Sequence, residues 1–272
     1  MSGFEAVRSL RRGLQILQAV NQGDGLKAAA VARATGIPRP TVYRLLETLE
    51  AMHFVIRDHS SDNWRVTLHA KSLSSGFRDE DRVVQAALPA MTRLGRDIRW
   101  PVDLVTYRNY RMHIRESTHY TSPYSIDQGM VGLALPMLEV SSGRAYLAFS
   151  GDAEREHALA GLRDELGLTD PIILPEGPLD ALLEQTRQLG VGFRRDHFRK
   201  GTCSMSSPIF HDGQIAACLT IIWTTSAMKF DKAIEVYRDK LIGVTQEVSA
   251  ELRALALPED RTGQGAGQGA GV

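Results

Sequence analysis

The strongest constraint on this chain lies between residues 5 and 68. There the spacing of apolar and turn-forming residues writes out helix, helix, tight turn, helix, hairpin. Val7, Leu10, Leu14, Leu17 and Val20 recur every three or four residues, which predicts one face of an amphipathic helix. The run Asn21–Gly25 (NQGDG) ends it with turn residues. An alanine-rich helix is expected from about Leu26 to Ala34, and Thr35-Gly36-Ile37-Pro38 breaks the chain. A third helix then runs to about Met52, with Val42, Leu45, Leu46, Leu49 and Met52 on its apolar face. Phe54–Arg57 and Trp64–Leu68 are short strand candidates around the polar stretch Asp58–Asn63, the pattern of a hairpin. Ala32 stands four residues before Gly36. The small side chain lets two helices touch, and the glycine can take the positive φ of a tight turn. The order is that of a winged helix-turn-helix.

Charge supports a polyanion as partner of this segment. Formal net charge is zero over the whole chain, yet residues 1–78 hold eleven Lys/Arg against six Asp/Glu. A basic segment on a neutral chain is expected where one domain alone meets nucleic acid. With its apolar set turned inward, the third helix presents Arg39, Thr41, Tyr43, Arg44 and Glu47. The start of such a helix enters the major groove, where Arg pairs with a guanine edge and Thr or Tyr meets a phosphate or a thymine methyl. Arg57 and Arg65, at the base of the hairpin, are candidates for backbone phosphates. The bland alternative is a three-helix scaffold with a solvated polar face.

A linker helix is expected over residues 69–81 and an α/β domain over 82–255. Val83, Ala87, Met91, Leu94 and Ile98 have helical spacing, and Pro101 follows. Together with the first helix they offer more apolar face than one small domain covers, so at least a dimer is expected. Val102–Tyr107 and Met112–Ser117 read as a hairpin around Arg108-Asn109-Tyr110. Ser204–Phe210 and Gln214–Trp223 read as another through Asp212-Gly213. Helices are expected at Ser141–Phe149, Asp152–Leu166 and Leu179–Leu189. A final helix carries Ile234, Tyr237, Leu241, Val244, Val248 and Leu252 on one face. Residues 256–272, ending TGQGAGQGAGV, are too poor in apolar residues to pack and are expected to be disordered.

Composition, with 43% apolar and 24% charged residues, is that of an ordinary globular protein. No apolar run is long enough for a membrane span, and Gln15 and Gln18 interrupt the first apolar stretch, so neither membrane nor signal peptide is expected. Cys203 and Cys218 are not in a CxxC pair and suit a reducing cytoplasm. The chain has no Gly-x-Ser-x-Gly elbow, no P-loop, no Gly-x-Gly-x-x-Gly and no HExxH. Cys203 beside Ser204 lacks an evident base, and the eight histidines are scattered. His113, His119, His197 and His211 are expected at the surface or in hydrogen bonds. No catalytic residue, metal or cofactor is therefore expected. A small-molecule hydrolase, or a ligand-binding module with a helical N-terminal domain, remains as the alternative.

Arg8–Arg57 resembles the N-terminal domain of the IclR family of transcriptional regulators, carried by ARATGIPRPTVYRLL (Ala32–Leu46) and the LETLEAMHFV after it. The family usually has Ser where Pro40 stands here, which removes a phosphate-bonding hydroxyl. Gly132–Phe149 resembles the family's Gly-x-x-x-Pro stretch and Gly-Lys/Arg-Ala helix, and Gly192–Ile221 its last sheet segment. The resemblance implies a GAF-like mixed α/β effector domain and control of operator DNA by a small-molecule carboxylate. It also implies dimers through the N-terminal region, and tetramers through the effector domains. It places the effector over the helix start at Gly143, Arg144 and Ala145, where free amides favour an anion. The family's Cys corresponds to Ser204, its acidic residue to Asp196, and its two strand hydroxyls to Thr220 and Ile222. The last replacement implies a more apolar wall. Ile114–Ser125 (IRESTHYTSPYS) resembles the MhpR-like branch, which controls aromatic-acid degradation. An aromatic carboxylic acid is therefore the expected effector.

Overall fold

The computed structural model describes residues 7–23, 25–75, 81–169, 171–195 and 197–256. Of the segments expected to be disordered or linking, 257–272 and 76–80 lie outside the described residues.

The N-terminal part comprises α1 (Arg8–Gln22), α2 (Ala28–Thr35), α3 (Arg39–Ala51), β1 (Val55–Asp58) and β2 (Asn63–Val66). Its core is built from Ile16, Leu17, Val20, Val31, Ile37, Val42, Leu46, Val55 and Trp64. Gly36 links α2 to α3 with φ +67, and a Cβ there would meet nothing within 4 Å. Conformation, not space, demands the glycine. Pro40 sits in the first turn of α3. Its missing N–H is harmless there, because that amide has no partner inside a helix. The hairpin is tied back to the helices by Leu26 and Trp64, which exchange backbone hydrogen bonds of 3.0 and 2.8 Å.

The stripe expected on α1 divides. Leu17 and Val20 are buried with Ile16, but Val7, Leu10 and Leu14 are 64, 62 and 51% exposed. Between the hairpin and the second part stands a 3-10 turn, Leu68–Leu73, started by the Thr67 hydroxyl accepting from the His69 amide. The described residues of the expected linker helix therefore form a shorter, tighter turn.

The second part comprises α4 (Arg82–Ile98), β3 (Val102–Arg108), β4 (Arg111–Ser117), β5 (Ala134–Pro136), α5 (Ser141–Phe149), α6 (Asp152–Leu166), β6 (Ile173–Leu174) and β7 (Gly177–Pro178), followed by α7 (Leu179–Leu189), β8 (Gly192–Arg194), β9 (Thr202–His211), β10 (Gln214–Thr224) and α8 (Phe230–Ala256). Six strands form an antiparallel sheet in the order β5-β4-β3-β10-β9-β8. Both expected hairpins turn on two residues of positive φ, Asn109-Tyr110 and Asp212-Gly213. That conformation matches the twist of the flanking strands.

Alternation along the strands sends two sets of side chains to opposite faces. Leu104, Met205, Leu219, Ile221 and Trp223 pack with α4 and α8. Val105, Ile114 and Cys218 pack with α5. One expectation is corrected here. Val83, Ala87, Met91, Leu94 and Ile98 of α4 are all buried within the chain's own core, together with Leu241, Val248 and Leu252 of α8. The predicted stripe of this helix is therefore covered by the chain itself, and Leu88 is left at its surface.

Candidate functional site

Two sites emerge. The first is the outer face of α3. Arg39 opens the helix, fully at the surface, and donates from Nη2 to the Tyr43 hydroxyl at 3.2 Å while lying 5.4 Å from the ring centre. Arg44 is exposed, and Thr41 and Tyr43 are half-buried. Arg44 lies opposite Val42 and Leu46 on α3, Thr41 and Tyr43 flank it on either side, and Arg39 stands one turn before Tyr43 at the start of the helix. Arg57 behaves differently. Its Nη2 and Nε donate to one Asp62 oxygen at 2.6 and 2.9 Å, and its guanidinium lies 5.5 Å from the Trp64 ring centre. Its charge is matched within the hairpin. Arg65 lies exposed on β2. The loop between β1 and β2 is closed by Asp58, which accepts from the Ser60 and Ser61 hydroxyls. Those bonds hold its carboxyl well below the usual range.

The second site is a small cavity of about 50 Å³ between the α5 face of the sheet and the chain that follows β4. Strand register builds it. Asp103 of β3 pairs with Thr220 of β10, while Ile222 pairs with Ser204 and Ser204 with Arg194 of β8. Of the residues implied by resemblance, Ser204, Thr220 and Ile222 therefore meet on one wall. The Ser204 and Ser141 hydroxyls are 2.8 Å apart, joining the sheet to the start of α5. Asp196 lies outside the described residues.

Gly143, Arg144 and Ala145 do not line this cavity; Ser141 and Ser142 do. The reason is packing. A Cβ at position 143 would stand 1.8 Å from the Met137 carbonyl oxygen, so the glycine admits the protein's own backbone and not a ligand. Ala145 is fully buried beside Gly192 of β8. Arg144 turns away from the cavity and donates to the carbonyls of Leu138 and Phe193 at 3.2 and 3.0 Å, and it ion-pairs with Glu176.

The polar side of the cavity contains residues that the sequence did not reveal as a group: Asp103, His119, Asp127, Arg194 and Arg199. One signal was present, a lone acid inside the apolar strand Val102-Asp103-Leu104-Val105. Arg199 ion-pairs with the buried Asp127. Arg194 is buried and donates to the Thr202 carbonyl and hydroxyl at 2.9 and 3.0 Å. Burial pushes the Asp103 carboxyl up to about 7, against a hydrogen bond from Ser117 that favours the ionised form. Burial, with the Arg199 charge, pulls His119 down to about 4. Asp127 is also raised by burial, opposed by Arg199 and Arg194. Met130, Leu135, Val140, Ile114, Val105 and Ile222 supply the apolar side. Such a cavity suits a small ligand with one apolar and one anionic part.

Residues 9–59 match the IclR helix-turn-helix domain, and residues 78–250 match the C-terminal domain of the bacterial transcriptional regulator IclR. The chain belongs to the IclR family. It is a DNA-binding transcriptional regulator with an effector-binding C-terminal domain. The acetate operon repressor of Salmonella typhimurium is 25% identical over 234 residues, which is 85% of each chain. The IclR of Thermotoga maritima has a similar fold, with a TM-score of 0.57 and 18% identity over 91% of this chain and 99% of that one. An IclR homolog of Microbacterium hydrocarbonoxydans, solved in complex with 4-hydroxybenzoate, has a TM-score of 0.51 and 20% identity over 89% of this chain and 99% of that one. The Salmonella relative is a repressor, and the hydrolase alternative has no support from these relationships. Among the described residues, no helix is long and apolar enough to cross a membrane. Among them too, no group of three His, Cys, Asp or Glu is placed to hold a metal ion.

Proposed function

We propose that this regulator senses a small aromatic carboxylic acid and controls genes for its breakdown in the cytoplasm. In this reading residues 5–68 bind operator DNA and 82–255 bind the effector. Arg39, Thr41, Tyr43 and Arg44 face the major groove, with Arg65 toward a phosphate. The observation that supports the effector assignment is the mixed lining of the cavity: a polar set, Arg199 and Arg194 with Ser141, Ser142 and Ser204, and an apolar set, Ile222, Val105, Ile114 and Leu135. A carboxylate suits the first and a ring the second. Two further points support the aromatic choice. The segment Ile114–Ser125 that resembles the MhpR-like branch contributes Ile114 and His119 to the cavity wall. A family member of similar fold was solved with 4-hydroxybenzoate.

The volume of about 50 Å³ favours a second reading, a short aliphatic acid. A dry cavity that takes benzene is roughly 150 Å³. An aromatic ligand therefore requires the chain covering the cavity to move outward. That movement would supply the two states between which an effector must discriminate to alter DNA binding.

The test is isothermal titration of the full chain with benzoates, phenylpropionates and short keto acids, alongside operator binding with and without each. Aromatic acids should bind, and Arg199→Met should weaken them at least tenfold. Tight binding of keto acids with none of aromatic acids would overturn the aromatic assignment. Unchanged affinity in Arg199→Met would overturn the carboxylate seat.

The exposed Leu10 and Leu14 of α1, with Val7 just before the helix, support assembly through this end of the chain. A second α1 covering them gives a dimer, and two copies suit a near-palindromic operator. Pairing of dimers into tetramers would use the effector domains.

A further inference from the structure

The cavity holds one feature that an anion site does not account for. Asp103 and His119 are 4 and 5% exposed, and both line the cavity. Among the described residues, Asp103 Oδ1 and His119 Nε2 have no hydrogen-bond partner, and they face each other at 3.7 Å. That is too far for a direct hydrogen bond. Buried polar atoms are nearly always paired, so two facing each other without partners point to a third group.

Neighbouring bonds fix the chemistry of both atoms. The Ser125 hydroxyl donates to the Asp127 carbonyl at 2.9 Å and so has no proton for His119. His119 Nδ1, at 2.6 Å from that oxygen, must be the donor. The burial that keeps the ring neutral then leaves Nε2 as an acceptor. The Ser117 hydroxyl bonds the Asp103 carboxyl and accepts from the His119 backbone N–H at 3.2 Å. Both side chains are thereby held in place, with their free atoms turned toward one small space. An oxygen bearing a proton can stand within reach of both. It donates to Nε2 or to the Asp103 carboxylate, and it accepts from Asp103 when that group is protonated.

We propose that Asp103 and His119 form a hydroxyl-reading subsite, so that the effector is a hydroxy acid and not a plain carboxylic acid. This rests on the cavity being the effector site. The carboxylate lies on the arginine side and the hydroxyl between Asp103 and His119. A site built around a hydroxyl rejects the analogue lacking it, because its buried groups are then left unpaired.

The test uses matched pairs on the full chain by isothermal titration: benzoate with 3- and 4-hydroxybenzoate, 3-phenylpropionate with its 3-hydroxyphenyl analogue, and propionate with lactate. In at least one pair the hydroxy acid should bind tenfold or more tightly. In the double variant Asp103→Leu, His119→Phe that preference should fall below twofold. Arg199→Met should weaken both members alike and leave their ratio intact. Equal affinity within every pair overturns the inference, with water as the group between the two acceptors, and leaves the carboxylate reading standing. Failure of every acid to bind at millimolar concentration overturns both. The wild-type ratio decides even if the double variant does not fold.

Discussion

The facing pair Asp103 and His119 should leave a pH signature that neither residue would give alone. Between about pH 6.5 and 4 the unfolded chain takes up a proton on His119 that the folded chain refuses, because burial holds the folded value near 4. Folding then loses roughly 1.4 kcal/mol per pH unit as pH falls. Asp103 acts in the opposite sense. Between its ordinary value near 3.8 and its folded value near 7, the folded chain keeps a proton that the unfolded chain has released. Folding gains a similar amount per unit as pH falls through that window. Over the shared interval the two contributions cancel, so the pair adds almost no slope to the wild type. Asp103→Asn removes one side and should lose about 3 kcal/mol relative to wild type between pH 6.5 and 4. His119→Phe removes the other and should gain about 3 kcal/mol over the same range. Urea unfolding of the full chain at pH 4, 5, 5.75 and 6.5 measures both, with Trp100 and Trp223 reporting from the second core. Wild-type slopes in both variants, or slopes of the same sign, would refute the burial of the two groups and their opposed titration.

Two more predictions concern the other faces of the molecule. Arg44→Ala should weaken operator binding by about 1–3 kcal/mol and relax specificity at one base pair if Arg44 reads a guanine. A uniform loss on all sequences with a flatter salt dependence would instead assign it to a phosphate, and wild-type affinity would remove it from the interface. Replacing Leu10 and Leu14 with Lys should convert a dimer to monomers in light scattering at micromolar concentration, with the chain still folded because both sites lie outside its core. An unchanged mass would place the dimer contact elsewhere, and a monomeric wild type would refute the dimer itself.

The helices and hairpins were legible because their signals are local. Gly36 and Asp212-Gly213 mark chain reversals through the positive φ they adopt, and Ser141–Phe149, Asp152–Leu166 and Leu179–Leu189 form helices with the expected bounds. What covers an apolar face is not local. The stripes of α1 and α4 look alike in sequence, yet α8, over a hundred residues further on, buries the second. On α1 the apolar set around Leu17 and Val20 enters the core, and Leu10 and Leu14 remain exposed. Periodicity reports the direction of a face and says nothing of its partner.

The cavity shows the same limit more sharply. Asp103 can meet His119 only because β3 pairs with β4 through an irregularity after Leu104, and because the chain turns back at Thr118, whose hydroxyl accepts from the Val102 amide at 2.8 Å. The sequence marked Asp103 as an oddity in a strand, but the pairing that gives it meaning depends on register. Gly143 illustrates the converse error. A glycine near a helix start fits an anion site, and it fits equally the close approach of another backbone. Here the Met137 carbonyl occupies the space a side chain would need, so the glycine's requirement is met without any ligand. Ser141 and Ser142, the two residues just before the glycine at the start of α5, line the cavity instead. A motif at a helix start therefore narrows the ligand to a region, and the side chains gathered from β3, β9, β10 and the segment after β4 determine its chemistry.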